Sequence, residues 1–154
     1  MDKYVGLGEI QISSTPGDLI KTFALASCVG ITAYCAKTHT AGMVHIVLPC
    51  KVQSTIEMSP SYYATTGVPF FIQKMLSCGC SKNDLLVRVY GGANSIKKHD
   101  FFNIGMRNLE TVKDTLRQLH VPFTLADVGG VISRTLIMDV ETGLVEVNAL
   151  PICV

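Results

Sequence analysis

The sequence lacks an excess of charge of either sign and any long apolar segment. Its 154 residues carry 13 Lys and Arg against 12 Asp and Glu, which leaves a net charge of +1. No electrostatic surface for nucleic acid or an anionic membrane is therefore expected. Polar residues, glycine or proline interrupt every apolar run well before the ~18 residues that would indicate a membrane span. The first residues, MDKYVGLGEIQIS, do not follow the pattern of a signal peptide. We therefore expect a cytoplasmic protein that does not insert into membranes.

The sequence also lacks the spacing of a metal site, although it contains cysteine. Cys78 and Cys80 form a CxC pair, and no second group of Cys or His follows at the distance typical of zinc sites. No bound metal is expected. A disulfide framework is conceivable in a short chain, but without a signal sequence we expect the six cysteines to be reduced.

Neither a phosphate-binding loop nor a domain boundary is evident. The segment 91–94, GGAN, lacks the lysine of a P-loop and the GxGxxG pattern, so it is interpreted as a tight turn. No repeat, linker or low-complexity tract appears, and 48% of the residues are hydrophobic. These observations predict one domain, residues 1–154, with a single core.

Strand patterns outnumber helix patterns along the chain. One helix is expected from Ser59-Pro60 to about Ser77, and a second over 104–120, with Asn103 as its cap. The apolar face of the second helix is predicted to hold Met106, Leu109, Val112, Leu116 and Leu119. Strands are predicted at 5–13, 19–25, 29–35, 42–48, 85–90, 122–128, 134–140 and 144–150. The fold class is thus α/β, with a β-sandwich or a strongly bent mixed sheet flanked by two or three helices.

The strands at 29–35 and 42–48 predict a hairpin that relates Cys28 to His45. Pairing that places His45 near Thr32 puts the Cys28 and His45 side chains on one face of the sheet but several residues apart. Contact would then require a bulge near Cys28, for which Gly30 is suited.

A cysteine and a histidine on one face can form a nucleophile and its base. Imidazole at hydrogen-bond distance takes the proton of the Cys28 thiol, and a third polar group, here the Thr22 hydroxyl, would orient the ring of His45. Cysteine and histidine are also common in buried cores, so the spacing alone leaves a structural role open.

Several segments together resemble the family of chemoreceptor glutamine deamidases, CheD. The resemblance lies in 22–31, TFALASCVGI, in 41–49, AGMVHIVLP, and in the GGAN turn. It extends to 103–108, NIGMRN, and to 126–130, ADVGG, followed by Arg134-Thr135. Ala24 and Ala26 stand where the family usually has glycine.

The resemblance implies a function and a set of roles. Cys28 would be the nucleophile, His45 the base and Thr22 the third member of a site that needs no cofactor. Backbone N–H groups near Cys28, at Ser27 and Val29, would hold the oxyanion. Chemoreceptor cytoplasmic domains would be the substrate, and a CheC-type phosphatase a partner. Phe101, Phe102 and Arg107 are candidate partner contacts. The fold implied is similar to the catalytic domain of cytotoxic necrotising factor.

Two other functions stay open at this point. The chain could be a binding module that sequesters or activates a CheC-type phosphatase without turnover. It could also be a redox sensor in which Cys28 pairs with Cys35 or Cys50 under oxidation.

Overall fold

Three layers make up the protein: a four-stranded sheet, a five-stranded sheet and a layer of helices. The computed structural model describes residues 1–52, 56–94 and 103–152. The four-stranded sheet has the order β1 (Asp2–Tyr4), β3 (Leu19–Leu25), β8 (Ile132–Asp139) and β9 (Val145–Pro151). The five-stranded sheet has the order β2 (Ile10–Ser13), β5 (Thr40–Ile46), β4 (Val29–Cys35), β6 (Leu85–Gly91) and β7 (Thr124–Val128). The helices are α1 (Ala64–Leu76) and α2 (Ile104–Gln118).

Among the described residues two hydrophobic cores fill the spaces between these layers, so the prediction of a single core was wrong. The core between the sheets includes Ile20, Leu25, Met43, Tyr90 and Leu136. The core between the five-stranded sheet and the helices includes Ile31, Val44, Phe71, Val112 and Leu116. Strands β4 and β5 are buried along their whole length, because both of their faces are covered. The predicted fold class, a mixed α/β domain with a sandwich and two helices, is confirmed.

The prediction of one strand over 5–13 was wrong. Strands β1 and β2 lie in different sheets, and the connection between them contains Gly8 in the left-handed region at φ 71°. The loose alternation over 5–13 covers the connection as well as β2, so it does not reveal that only Ile10–Ser13 form a strand there.

The first helix begins later than its proline signal suggests. Pro60–Tyr62 forms only a 3-10 turn. An isolated parallel bridge pairs Leu48 with Tyr63, which holds Tyr63 extended, and the Ala64 N–H donates to the Leu48 carbonyl at 2.9 Å. The α-helix can begin only after this bridge. None of the helices among the described residues is long and apolar enough to cross a membrane.

The second helix begins at Ile104 as predicted, but it ends at Gln118 and not at 120, and its buried face differs from the predicted one. Met106 is 50% exposed, whereas Gly105, Asn108, Val112 and Leu116 are buried. The helix is rotated so that its first turn approaches the GGAN segment, residues 91–94. The carbonyls of Gly92 and Ala93 leave no room for a side chain at Gly105. The outward position of Met106 follows from that contact.

The sequence analysis expected every cysteine to be reduced, and this expectation was wrong. Cys35 and Cys80 form a disulfide, and Cys28, Cys50 and Cys78 are free thiols. Cys35 belongs to the core beneath the helices, whereas Cys28 packs against the core between the sheets. The redox-sensor hypothesis has Cys28 paired with Cys35 or Cys50 under oxidation, and neither of these pairs is the disulfide present.

Candidate active site

Cys28 and His45 lie on the face of the five-stranded sheet that is turned toward the other sheet. In the β4–β5 hairpin, Gly30 is opposite His45 and Val29 is opposite Ile46. Cys28 precedes Gly30 by two residues and packs against the core between the sheets. The shared face agrees with the sequence prediction. The register does not, because His45 lies opposite Gly30 and not near Thr32, which brings it closer to Cys28 along the strand.

The sequence analysis placed a bulge near Cys28, at Gly30, but the bulge lies in β3. The β4–β5 register is continuous, and the irregularity occurs in β3 between Thr22 and Leu25. Ala24, at φ 55°, adopts the left-handed region within it, which costs an L-residue about 1 kcal/mol or more. Gly30 is needed for a different reason, since a Cβ there would lie 2.9 Å from Leu25 Cδ1.

A hydrogen bond across the two sheets fixes the tautomer of His45. The Thr22 hydroxyl donates to the Val5 carbonyl at 2.7 Å, so its oxygen accepts a hydrogen bond from His45 Nδ1–H at 2.8 Å. The proton therefore resides on Nδ1, and Nε2 carries a free lone pair. His45 Nε2 is buried and has no hydrogen-bond partner among the described residues. The ring thus presents its basic nitrogen away from Thr22.

Burial keeps both reactive groups neutral. It raises the pKa of the Cys28 thiol to about 11 and lowers the pKa of His45 to about 4. At neutral pH the site therefore holds a thiol and an imidazole, not a thiolate and an imidazolium. If Cys28 is to act as a nucleophile from this state, its thiol proton would have to move to a base such as Nε2 during the attack.

His45 should also make the stability of the fold depend on pH. Its pKa falls from 6.5 in the unfolded chain to about 4 in the folded one, so the unfolded chain binds the extra proton between these values. The free energy of unfolding is therefore highest above pH 6.5. It should fall by up to about 3 kcal/mol, through His45 alone, as the pH falls toward 4.

Urea unfolding at a series of pH values from 7.5 to 4.5 measures this loss. His45→Gln should remove most of the slope, whereas His120→Gln, at an exposed histidine, should retain it. A slope unchanged in His45→Gln would contradict the assignment.

The GGAN segment, residues 91–94, holds the Cys28 segment in place. The Gly92 N–H donates to the Cys28 carbonyl at 2.9 Å, and the Ala93 N–H donates to the Ala26 carbonyl at 2.8 Å. Gly91 has φ 96°, and a Cβ there would lie 2.3 Å from the Cys28 carbonyl oxygen. The segment lies at the site, but it is not the tight turn that the sequence predicts: Gly91 is the last residue of β6, and 92–94 is irregular backbone held by hydrogen bonds to distant residues.

The remaining candidate residues are placed as follows. Ser27 is half-buried, and the Val29 side chain is fully buried in the core beneath the helices, so at Val29 only the backbone could face a substrate. Arg107 is exposed in the first turn of α2. Phe101 and Phe102 lie outside the described residues. The partner contacts stay predictions.

Two buried polar residues, Arg134 and Asn108, stand in motifs that carry the resemblance, but the sequence analysis gave them no role. Arg134 is 2% exposed and bonds Asp127 at 3.0 Å and the Gly129 carbonyl at 2.8 Å, which secures the β7–β8 turn. Asn108 is fully buried, and its Nδ2 donates to the Ser27 and Val47 carbonyls, each at 2.9 Å. The signal for Asn108 was a polar residue four positions before Val112, on the buried stripe of an amphipathic helix.

Comparison with known proteins gives the family. Residues 47–149 match the family model described as CheD chemotactic sensory transduction. This match begins after His45, so it does not include Thr22, Cys28 or His45.

Relatives align over nearly the whole chain. The "Probable chemoreceptor glutamine deamidase CheD" of Syntrophotalea carbinolica is 42% identical over 151 residues, which cover 96% of this chain and 93% of that protein. The protein of the same name from Clostridium botulinum strain Alaska E43 is 34% identical over 147 residues, covering 94% and 90%.

Solved structures are more distant. The hypothetical protein YfiH of Bacillus licheniformis is 13% identical and has a TM-score of 0.40 over 79% of this chain and 49% of its own. At that TM-score the likeness supports no inference. The family model and the relatives suffice, however, and the chain belongs to the CheD family.

Proposed function

We propose that this protein is a chemoreceptor glutamine deamidase that acts in chemotaxis, with Cys28 as nucleophile and His45 as base. The observation that carries the proposal is the Thr22–His45 hydrogen bond of 2.8 Å, which leaves Nε2 free on the face that Cys28 shares. The relatives named chemoreceptor glutamine deamidase support the choice of substrate. The substrate would be glutamine side chains in chemoreceptor cytoplasmic domains, and the reaction would take place in the cytoplasm.

The reaction proceeds in two halves. Cys28 Sγ attacks the carboxamide carbon while His45 Nε2 takes the thiol proton, and His45 then gives this proton to the departing ammonia. A thioester remains. Water, activated by His45, attacks the thioester carbon, and the C–S bond breaks to release glutamate and return the proton to the thiol. The net change is hydrolysis of glutamine to glutamate and ammonia.

Two neutral groups can perform this chemistry because the negative charge develops only in the transition state. Backbone N–H groups at the Cys28 segment would stabilise the tetrahedral oxyanion, each by about 3 kcal/mol. A methyl ester of a receptor glutamate would react through the same steps, with methanol as the leaving group. Receptor methylesterase activity is therefore part of the proposal.

Mass spectrometry of a purified chemoreceptor cytoplasmic fragment tests the proposal. The protein should produce a gain of about 1 Da at specific glutamines, as expected when an amide becomes an acid. Cys28→Ala should abolish the gain, and Cys50→Ala, at an exposed free thiol, should not. Unchanged turnover in Cys28→Ala would overturn the proposal.

The resemblance also suggests binding of a CheC-type phosphatase, which the same Cys28→Ala variant can test. If the complex forms independently of the chemistry, the variant should capture the purified phosphatase at one-to-one stoichiometry. Absence of any complex with either form of the protein would remove this partner.

A further inference from the structure

Asn108 lies where the two strands of the active-site hairpin separate. Pairing of β4 with β5 ends at Val29 and Ile46, and beyond that point the Val47 N–H donates to the Tyr62 carbonyl. The carboxamide of Asn108 bridges the gap, with Nδ2 donating to the Ser27 and Val47 carbonyls. One side chain thus connects the residue before Cys28 to the segment that leaves His45.

The same contact sets the direction of the peptide bond between Ser27 and Cys28. No described peptide bond is cis, and in a trans peptide the N–H points opposite to the carbonyl. Because the Ser27 carbonyl points to Asn108 on α2, the Cys28 N–H points away from that helix. No described residue accepts a backbone hydrogen bond from this N–H.

We propose that Asn108 is a positioning residue for the reaction, because it fixes the Cys28 segment against the His45 segment and aims the Cys28 N–H as an oxyanion donor. The inference rests on the proposed function. A buried amide is suited to this task because its NH2 group holds two carbonyls at once, which no apolar side chain can do. Its Oδ1 is buried and has no hydrogen-bond partner among the described residues, which is unfavourable for folding.

Kinetics of Asn108→Ala test the inference. A displaced donor or nucleophile should lower kcat on the chemoreceptor fragment by about 10²-fold, with KM changed by less than about threefold. The matched control is Thr115→Val, which removes a buried hydroxyl bonded to the Thr111 carbonyl within the same helix. That control should unfold at a somewhat lower urea concentration and keep its kcat. If Asn108→Ala does not fold, Asn108→Ser retains one donor and should show a smaller loss of kcat.

Alkylation of Cys28 by iodoacetamide gives a second measurement that does not depend on deamidation. In a background with Cys50, Cys78 and Cys153 replaced by serine, Asn108→Ala should react about tenfold faster at pH 8. The released segment would be better hydrated, and the thiol pKa would fall toward its ordinary value. Thr115→Val should react like the parent protein.

The outcomes separate the two proposals. A kcat of Asn108→Ala within threefold of the parent, or an equal loss in Thr115→Val, overturns the positioning role. If the parent protein deamidates no receptor fragment, the proposed function has failed, and alkylation then decides alone. Faster alkylation in Asn108→Ala than in the control supports positioning, and equal rates overturn it.

Discussion

Gly91→Ala is expected to lower the free energy of unfolding by about 2 to 5 kcal/mol, because two penalties coincide. The backbone at Gly91 has φ 96°, which costs an alanine about 1 to 2 kcal/mol. The added Cβ would also lie 2.3 Å from the Cys28 carbonyl oxygen. A backbone atom cannot rotate away as the end of a side chain can. Relief of the clash would therefore move Cys28 and lower activity even in molecules that remain folded.

Gly17→Ala separates the clash from the backbone strain. Gly17 has φ 91°, close to that of Gly91, but a Cβ there would meet nothing within 4 Å. In Gly17→Ala the free energy of unfolding should fall by the backbone penalty alone, about 1 to 2 kcal/mol. Urea unfolding of both variants gives the comparison. Equal losses in the free energy of unfolding would show that closeness to the Cys28 carbonyl does not constrain the GGAN segment.

Thr22→Val is expected to reduce kcat by about 10²-fold without a comparable change in KM. Valine has nearly the same shape, but it cannot accept the Nδ1–H hydrogen bond. The imidazole is then free to adopt the tautomer with its proton on Nε2, and that tautomer cannot accept the thiol proton. The effect is one of protonation geometry, not of packing.

Two further variants test this interpretation of Thr22. Thr22→Ser keeps the hydroxyl and should retain most of the activity. Thr32→Val removes another buried hydroxyl from the same space between the sheets and should keep its kcat. If Thr22→Val is as active as Thr22→Ser, the hydroxyl does not orient His45.

The hairpin was predictable because its pattern is local, but its register was not. β-Branched and small residues bounded by turn formers identify β4 and β5. A shift of the pairing by two residues leaves every side chain on the same face, so alternation cannot distinguish Gly30 from Thr32 as the partner of His45. A Cβ at Gly30 would meet Leu25 and Leu136, which both lie in the opposite sheet, so the constraint at this position comes from residues outside the hairpin.

The candidate site was predictable only in part. The hairpin pattern brought Cys28, His45 and Thr22 together and the resemblance gave them roles, whereas the roles of Asn108 and Gly91 depend on contacts between distant parts of the chain. Asn108 lies 81 residues from Ser27 and 61 from Val47. Helical periodicity could place Asn108 on a buried stripe, but it contains no information about which carbonyls that stripe meets.

Because Thr22 and His45 belong to different sheets, the proposed chemistry would become possible only after the sandwich has closed. A nascent or refolding chain with only the five-stranded layer assembled would carry an imidazole of undefined tautomer beside an unpaired thiol. Such an intermediate could not turn over substrate. Recovery of turnover during refolding would therefore report the moment at which the two layers meet, later than any spectroscopic signal of strand formation.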